Sequence, residues 1–184
     1  MPPQHRRRKQ GTSLNWAVQN PRGLGAQHKP KALADAWADQ RLDIVLLPET
    51  KSDGALAARL ERQVPQWRFF WAHNTQSPGA TAVAAASVPA AAVAQAPAAG
   101  VRHRPSAGVA IAIRASLLQS GSVTASQVQP SPDGRLLTMR VKWAGHDIQL
   151  AAIYMPNDHA QQKRFIRDRL GPLCQQQPNA VRLW

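Results

Sequence analysis

The stretch Asp43–Lys51, DIVLLPETK, sets four consecutive aliphatic residues before a proline, a glutamate and a lysine. A short apolar run bounded in this way is typical of a buried strand. Glu49 then stands at the tip of that strand, and Lys51 follows two residues later. The two charged residues are either solvated loop residues or part of a site that the strand holds in place.

Regular patterns extend from this strand in both directions. Leu14, Trp16 and Val18 alternate with other residues, which predicts a strand with one buried face. Helices are expected over Lys29–Gln40 and Ser52–Val64, the second capped by Ser52 or Asp53. The other predicted elements are strands at 67–71 and 109–113, a hairpin of strands at 137–143 and 148–154, a helix capped by Asn157 or Asp158, and a strand at 180–184.

This order of elements predicts an α+β fold with a mixed sheet and helices on its outer side. The other face of the sheet would need a partner layer. Residues 1–11 are expected to form a basic disordered tail, and residues 12–184 a single domain. A low-complexity stretch rich in alanine and proline, at about residues 75–105, lacks any usable periodicity and is predicted to be an inserted surface loop.

The net charge of the chain indicates which kinds of partner its surface attracts. The formal net charge is +13, and removing the run from Arg6 to Lys9 still leaves +9, since those four residues carry four positive charges. A surface this basic attracts polyanions such as nucleic acid or an anionic membrane. The alanine-rich run from Ala80 to Gly100 is interrupted by prolines and is interpreted as a linker rather than a membrane span. Cys174 is the single cysteine, which excludes a disulfide framework and fits an intracellular location, the nucleus included.

Three predicted strands end in a polar residue: Asn20, Glu49 and Tyr154. Each has an ordinary interpretation when taken alone. Asparagine before proline is a common turn residue, and a glutamate after a strand is commonly solvated. A tyrosine at a strand end can be an interface aromatic with a solvated hydroxyl group.

Together with their neighbours, the three residues form a recognisable series. Residues 20–24 (NPRGL), 46–51 (LLPETK), 108–111 (GVAI) and 153–157 (IYMPN) resemble the motifs NVRGL, LLQETK, GVAI and IYAPN of the endonuclease/exonuclease/phosphatase superfamily. The four motifs occur in the order of that family with compatible separations. The wording is closest to the apurinic-type endonuclease domains of non-LTR (LINE-like) retrotransposons. The fold implied is the DNase-like α/β sandwich.

The resemblance implies a site and a ligand. In it, Glu49 holds a divalent metal, Mg²⁺ or Mn²⁺, that polarises a phosphodiester. Asn20 orients the surroundings of the metal or a phosphate oxygen, and Tyr154 donates a hydrogen bond to phosphate. Nucleic acid, with DNA favoured over RNA, is expected to contact three further residues: Arg22, Lys51 and Asn157.

The chain departs from the family pattern after Tyr154. It contains neither the GDFN-like nor the SDH-like motif, and the later carboxylates are Asp158, interpreted as a helix cap, and Asp168, interpreted as an ion-pair residue. His159 lacks the spacing of a substitute for the family's histidine. The sequence therefore predicts the N-terminal portion of the domain, mainly one sheet, inactive alone because the later catalytic motifs are absent.

Two alternatives stay open. The chain is a non-catalytic nucleic-acid-binding remnant of a retroelement, or it is an incomplete gene model of a full enzyme. A single sheet would leave its inner face uncovered and open to association with another chain. The residues expected on that face are Trp16, Val18, Ile148 and Leu150.

Overall fold

The computed structural model describes residues 13–74, 107–176 and 181–183. The expected tail at 1–11 and insert at 75–105 lie outside the described residues. The strands are β1 Trp16–Val18, β2 Ile44–Leu47, β3 Trp67–Ala72, β4 Val109–Arg114, β5 Val123–Pro130, β6 Leu136–Trp143, β7 His146–Ile153 and β8 Val181–Leu183. The helices are α1 Lys29–Asp39, α2 Gly54–Gln63, α3 Ala115–Gln119, α4 His159–Phe165 and α5 Gly171–Gln176, with a π-helical turn, Ile166–Leu170, between α4 and α5.

The first sheet has the strand order β1-β2-β4-β3 and contains the strand that ends at Glu49. β1 runs parallel to β2, whereas β4 is antiparallel to both β2 and β3. All four residues of β2 are buried because strands flank it on both sides and apolar layers cover both of its faces. Val45 and Leu47 pack toward α1 and α2, while Ile44 and Leu46 pack toward the second sheet. The predicted buried strand is confirmed.

The second sheet has the order β5-β6-β7-β8 and packs face to face on the first. The expectation of mainly one mixed sheet is wrong, whereas the α+β class and the DNase-like sandwich are confirmed. β4 is already paired with β2 and β3, so it offers no open edge to the following strands. The hairpin of β6 and β7 instead forms its own sheet and buries Leu137, Val141 and Leu150 against Ile111 of the first.

Helices cover the outer face of each sheet. On the first sheet, Trp37 of α1 meets Trp67 edge to face, with ring centroids 5.1 Å apart. On the second sheet, Phe165 at the end of α4 packs against Leu136 and Ala151. The result is four layers, with one apolar core between the sheets, another beneath α1 and α2, and a small one beneath α4.

The expected uncovered face is reduced to the edge strand β1. Ile148 and Leu150 are buried between the sheets, which corrects the expectation for these two residues. Trp16 and Val18 pair in register with Ile44 and Leu46, yet they are 43% and 50% exposed. The inner face is therefore covered at its centre and open along β1.

The predicted helix caps are found at Asp53 and Asp158. Asp53 accepts a hydrogen bond from the Leu56 backbone N–H at 2.8 Å, and Asp158 accepts one from the Gln161 N–H at 2.9 Å. Each satisfies an N–H group that has no partner within the first turn of its helix. Within the ranges that the structure describes, no helix has both the length and the apolar character needed to span a membrane.

Candidate active site

The loops that follow β1 and β2 lie side by side at one edge of the first sheet. Because these strands are parallel, with Val18 opposite Leu46, they end at the same edge. The Gly23 N–H donates to the Glu49 carbonyl at 2.8 Å, and the Leu24 N–H donates to the Thr50 carbonyl at 2.9 Å. The NPRGL and LLPETK motifs therefore form one backbone unit.

Two side chains hold the Glu49 carboxylate. The Asn20 amide donates from Nδ2 to Oε2 at 3.0 Å, and the Lys51 ammonium lies 3.1 Å from Oε1. The Asn20 hydrogen bond, followed by that of Lys51, lowers the pKa of Glu49 from its usual range, although partial burial acts in the opposite direction. The positive charge of Arg22 adds to the same lowering. Glu49 is therefore an ionised acceptor at neutral pH.

The backbone around Glu49 is strained. Arg22, Glu49 and Lys51 have φ angles of 48°, 55° and 50°, in the left-handed region that non-glycine residues rarely adopt. The Asn20 side-chain oxygen accepts from the Arg22 N–H at 2.8 Å, and this turn directs the amide group of Asn20 toward Glu49. Strain of this kind is concentrated at functional sites. We call the cluster of Asn20, Glu49, Thr50, Lys51 and Gly108 the Glu49 corner.

Gly108, the first residue of the GVAI motif, supports this corner from the neighbouring strand. Its carbonyl accepts from the Thr50 N–H at 2.8 Å. A Cβ atom at Gly108 would lie 2.6 Å from Thr50 Oγ1, and its φ is 129°. Only glycine fits this position without displacing the loop that carries Glu49. The GVAI motif is visible in the sequence, but the close contact with Thr50 that requires a glycine at this position is not.

Tyr154 reaches the same edge from the second sheet. The Gly108 N–H donates to the Gly134 carbonyl at 3.1 Å, and the Tyr154 N–H donates to the Arg135 carbonyl at 2.8 Å. These bonds connect the end of β7 to the Glu49 corner through the start of β6. The Tyr154 ring is half-buried and lies 5.2 Å from the Arg135 guanidinium carbon. The structure thus joins Asn20 and Glu49 by direct contact and places Tyr154 at the same edge, in contact with Arg135.

The remaining predicted nucleic-acid contacts flank this edge. Arg22 and Lys51 are exposed beside Glu49. Asn157 is exposed immediately before Asp158, the cap of α4. Arg135 was not predicted, and the only signal for it is the Pro-Asp-Gly turn that precedes it.

The residues around Glu49 offer few metal ligands. Across residues 13–74, 107–176 and 181–183, no group of three or more His, Cys, Asp or Glu side chains is placed to bind a metal. Glu49 supplies the carboxylate of the corner, while the Asn20 amide oxygen accepts from the Arg22 N–H and its NH2 group faces Glu49. Mg²⁺ is often bound by one or two carboxylates with several waters, so this small set fits such an ion.

Comparison with solved structures identifies the fold. A humanised D. rerio TDP2 superposes with a TM-score of 0.54 at 15% identity, covering 91% of this chain and 57% of that one. D. rerio TDP2 with a single-stranded DNA product gives 0.52 at 15%, covering 91% and 55%. The AP endonuclease LMAP from Leishmania major gives 0.52 at 15%, covering 86% and 46%. No family profile matches the sequence, and no curated protein matches it.

These likenesses show that the chain shares the fold of TDP2 and of the AP endonuclease LMAP, which is the fold that the four motifs predicted. The chain spans about half the length of the solved chains that it matches. At this level of identity the likeness establishes the fold alone.

Proposed function

We propose that the chain forms the N-terminal part of a divalent-metal-dependent phosphodiesterase domain that acts on nucleic acid, DNA in preference to RNA. One observation carries the proposal: the ionised Glu49 carboxylate is held between Asn20 and Lys51 at the edge where both sheets of this fold end. The motif wording supports a retrotransposon-type endonuclease within the superfamily. An intracellular location, the nucleus included, belongs to the same proposal.

Glu49 would hold the Mg²⁺ or Mn²⁺ ion, and Asn20, through its hydrogen bond to Oε2, would orient that carboxylate. When bound, such an ion neutralises the charge that develops on the phosphoryl oxygens and the leaving oxygen. The Lys51 ammonium shares Oε1 of Glu49 at 3.1 Å, so it competes with a cation for that oxygen. Loading the site therefore requires Lys51 to move away, and its exposed side chain leaves room for this movement.

The polar groups around the corner would bind and orient the substrate. The Tyr154 hydroxyl would donate to a phosphate oxygen, while the stacked Arg135 fixes the direction of its ring. Arg22 and Lys51 would contact the backbone of the bound strand, and Asn157 would contact it beside Tyr154. These groups position a phosphodiester but supply no base.

Residues 1–184 contain no counterpart of the acid–base and phosphate-binding groups in the missing GDFN-like and SDH-like motifs. Each such group contributes a factor of about 10² to 10⁴ in rate. We therefore propose that this chain binds DNA without hydrolysing it. The second candidate function is that of a non-catalytic remnant that only binds nucleic acid. The net charge of +13 favours DNA binding in that case as well.

Incubation with supercoiled plasmid and Mg²⁺ tests this proposal. The chain, Glu49→Ala and the control Glu61→Ala, which removes a carboxylate on α2, should all leave the plasmid supercoiled while retaining it on a filter. Nicking that Glu49→Ala abolishes and Glu61→Ala preserves would overturn the proposed inactivity. Failure of all three proteins to retain DNA at low salt would reject nucleic acid as the ligand.

A further inference from the structure

A shallow cavity of about 230 Å³ lies beside the Tyr154 strand end. Its charged lining consists of Arg135, Arg164, Arg169, Asp133 and Asp168. We call this the arginine cavity. It shares Arg135 with the candidate active site, since the Arg135 guanidinium stacks on the Tyr154 ring.

Each of the two carboxylates of the cavity already has an arginine beside it, Asp168 from outside the lining and Asp133 from within it. Asp168 is bound by Arg167, whose Nε and Nη2 lie 2.5 Å and 3.0 Å from its two oxygens. Asp133 accepts from the Ser131 hydroxyl at 2.6 Å and lies 3.9 Å from Arg169. The lining carries three arginines against two carboxylates, and Arg167 binds one of those carboxylates from outside, so the cavity is electropositive. Arg164 and Arg169 are both exposed at its rim.

The π-helical turn Ile166–Leu170 brings these two arginines to one side. Five residues along an α-helix turn a side chain by roughly 140° relative to the first, because each residue turns about 100°. In a π-helical turn the bonding runs from residue i to i+5, as in the bond from the Gly171 N–H to the Ile166 carbonyl. Phe165 and Leu170 show the same effect, since both pack in the apolar cluster beneath the helix.

We infer that the arginine cavity binds a phosphate of the DNA backbone, one that lies along the strand from the phosphate at the Glu49 corner. Guanidinium groups match phosphate oxygens in geometry and retain their charge. The shared residue Arg135 links the two places, so one strand can occupy both. This inference rests on the proposed function, because it takes DNA as the ligand.

Binding of a fluorescein-labelled 20-base-pair DNA duplex, measured by anisotropy in EDTA, tests the cavity without any metal. The double variant Arg164→Gln/Arg169→Gln should weaken binding by about tenfold and lower the salt slope by about one, because one phosphate contact accounts for roughly 0.9. The control Arg41→Gln/Arg62→Gln removes the same charge near the starts of β2 and β3, and it should weaken binding by less than about threefold. Equal losses in the two double variants would refute the site.

A variant that removes a negative charge instead of positive charges completes the test. Asp168→Asn removes a negative charge from the cavity lining and should tighten binding by about twofold to fivefold, whereas Asp35→Asn on α1 should leave it unchanged. Equal tightening by both would refute a local effect. Binding of inorganic phosphate that Arg164→Gln/Arg169→Gln abolishes, together with DNA binding that the same variant leaves unchanged, would assign the cavity to free phosphate instead of DNA. Because the binding assay contains EDTA and no metal, its outcome does not depend on whether Glu49 binds a metal ion.

Discussion

The Glu49 corner and the arginine cavity lie at the same edge of the molecule but are built differently. At the corner, strand ends, backbone hydrogen bonds and the left-handed backbone of Glu49 and Lys51 fix one carboxylate between two donors. In the cavity, the exposed guanidinium groups of Arg164 and Arg169 stand on a helical segment, and each carboxylate pairs with an arginine. A metal ligand requires fixed geometry, whereas backbone phosphate recognition requires mainly charge within reach. Changes beneath the corner should therefore cost stability, and changes in the cavity should cost affinity.

The largest expected effect comes from Leu46→Ala, in the strand beneath Glu49. Leu46 is fully buried between the sheets, so truncation leaves a cavity and should lower the free energy of unfolding by about 3 kcal/mol. Arg164→Ala, in the arginine cavity, should change it by less than about 0.5 kcal/mol. Urea denaturation measures both, and similar losses in the two variants would remove the distinction between the two regions.

A smaller loss is expected from Gly108→Ala, which tests how closely the corner is packed. The added methyl group would meet Thr50 Oγ1 at 2.6 Å, so the loop that carries Glu49 must shift. The control Gly145→Ala also has a positive φ, 82°, and has nothing within 4 Å of the new atom. We expect Gly108→Ala to be less stable than the control by about 1–3 kcal/mol, as for overpacked sites. Equal losses would mean that backbone strain alone accounts for the effect.

The third effect depends on pH and involves His73, whose ring contacts Ser52 next to the Glu49 corner. Burial lowers the pKa of His73, although its hydrogen bond to the Ser52 carbonyl and the charge of Asp53 oppose the shift. Below about pH 6.5 the unfolded chain takes up a proton that the folded chain still excludes, so stability falls as pH drops from 6.5 toward the lower folded pKa.

Thermal unfolding at pH 7.5 and 5.5 measures this loss. The unmodified protein should lose more stability over this interval than His73→Gln does, and the exposed-residue control His146→Gln should behave as the unmodified protein. The same pH dependence in all three proteins would exclude His73 as its source.

The smallest effect is expected from Arg167→Ala, next to the arginine cavity. The ion pair of Arg167 with Asp168 is exposed, and such pairs contribute little to stability. The midpoint of thermal unfolding should move by less than about 1 °C, while DNA affinity falls, because Asp168 is then free to oppose a phosphate. A large drop in the midpoint would show that the helix depends on this pair.

Much of the fold follows from local sequence patterns. The apolar run of β2, the alternation of β6 and β7 and the cap at Asp53 are each visible without the structure. β5 was missed because a bulge shifts the register between Ser126 and Gln129, with Gln127 at a φ of 50°, and this interrupts the alternation. The second sheet was not predicted because the alternation of residues in a strand does not show whether its neighbours are already hydrogen-bonded on both sides.

The site was predictable where it depends on strand ends. Asn20 and Glu49 follow parallel neighbouring strands, so their contact could be expected from the motifs. The role of Arg135 could not, because it depends on a contact between two loops of the second sheet. The alignment of Arg164 with Arg169 depends on a π-helical turn, which helical periodicity of 3.6 residues cannot indicate.

Binding of Mn²⁺ as a substitute for Mg²⁺, followed by electron paramagnetic resonance of the free ion, tests the central claim most directly. The account predicts one site whose affinity falls at least tenfold in Glu49→Gln and stays unchanged in the control Glu61→Gln. Lys51→Met should bind Mn²⁺ more tightly, because the competing ammonium is gone from Glu49 Oε1. Equal affinity in Glu49→Gln and the unmodified protein would contradict the assignment of Glu49 as the metal ligand.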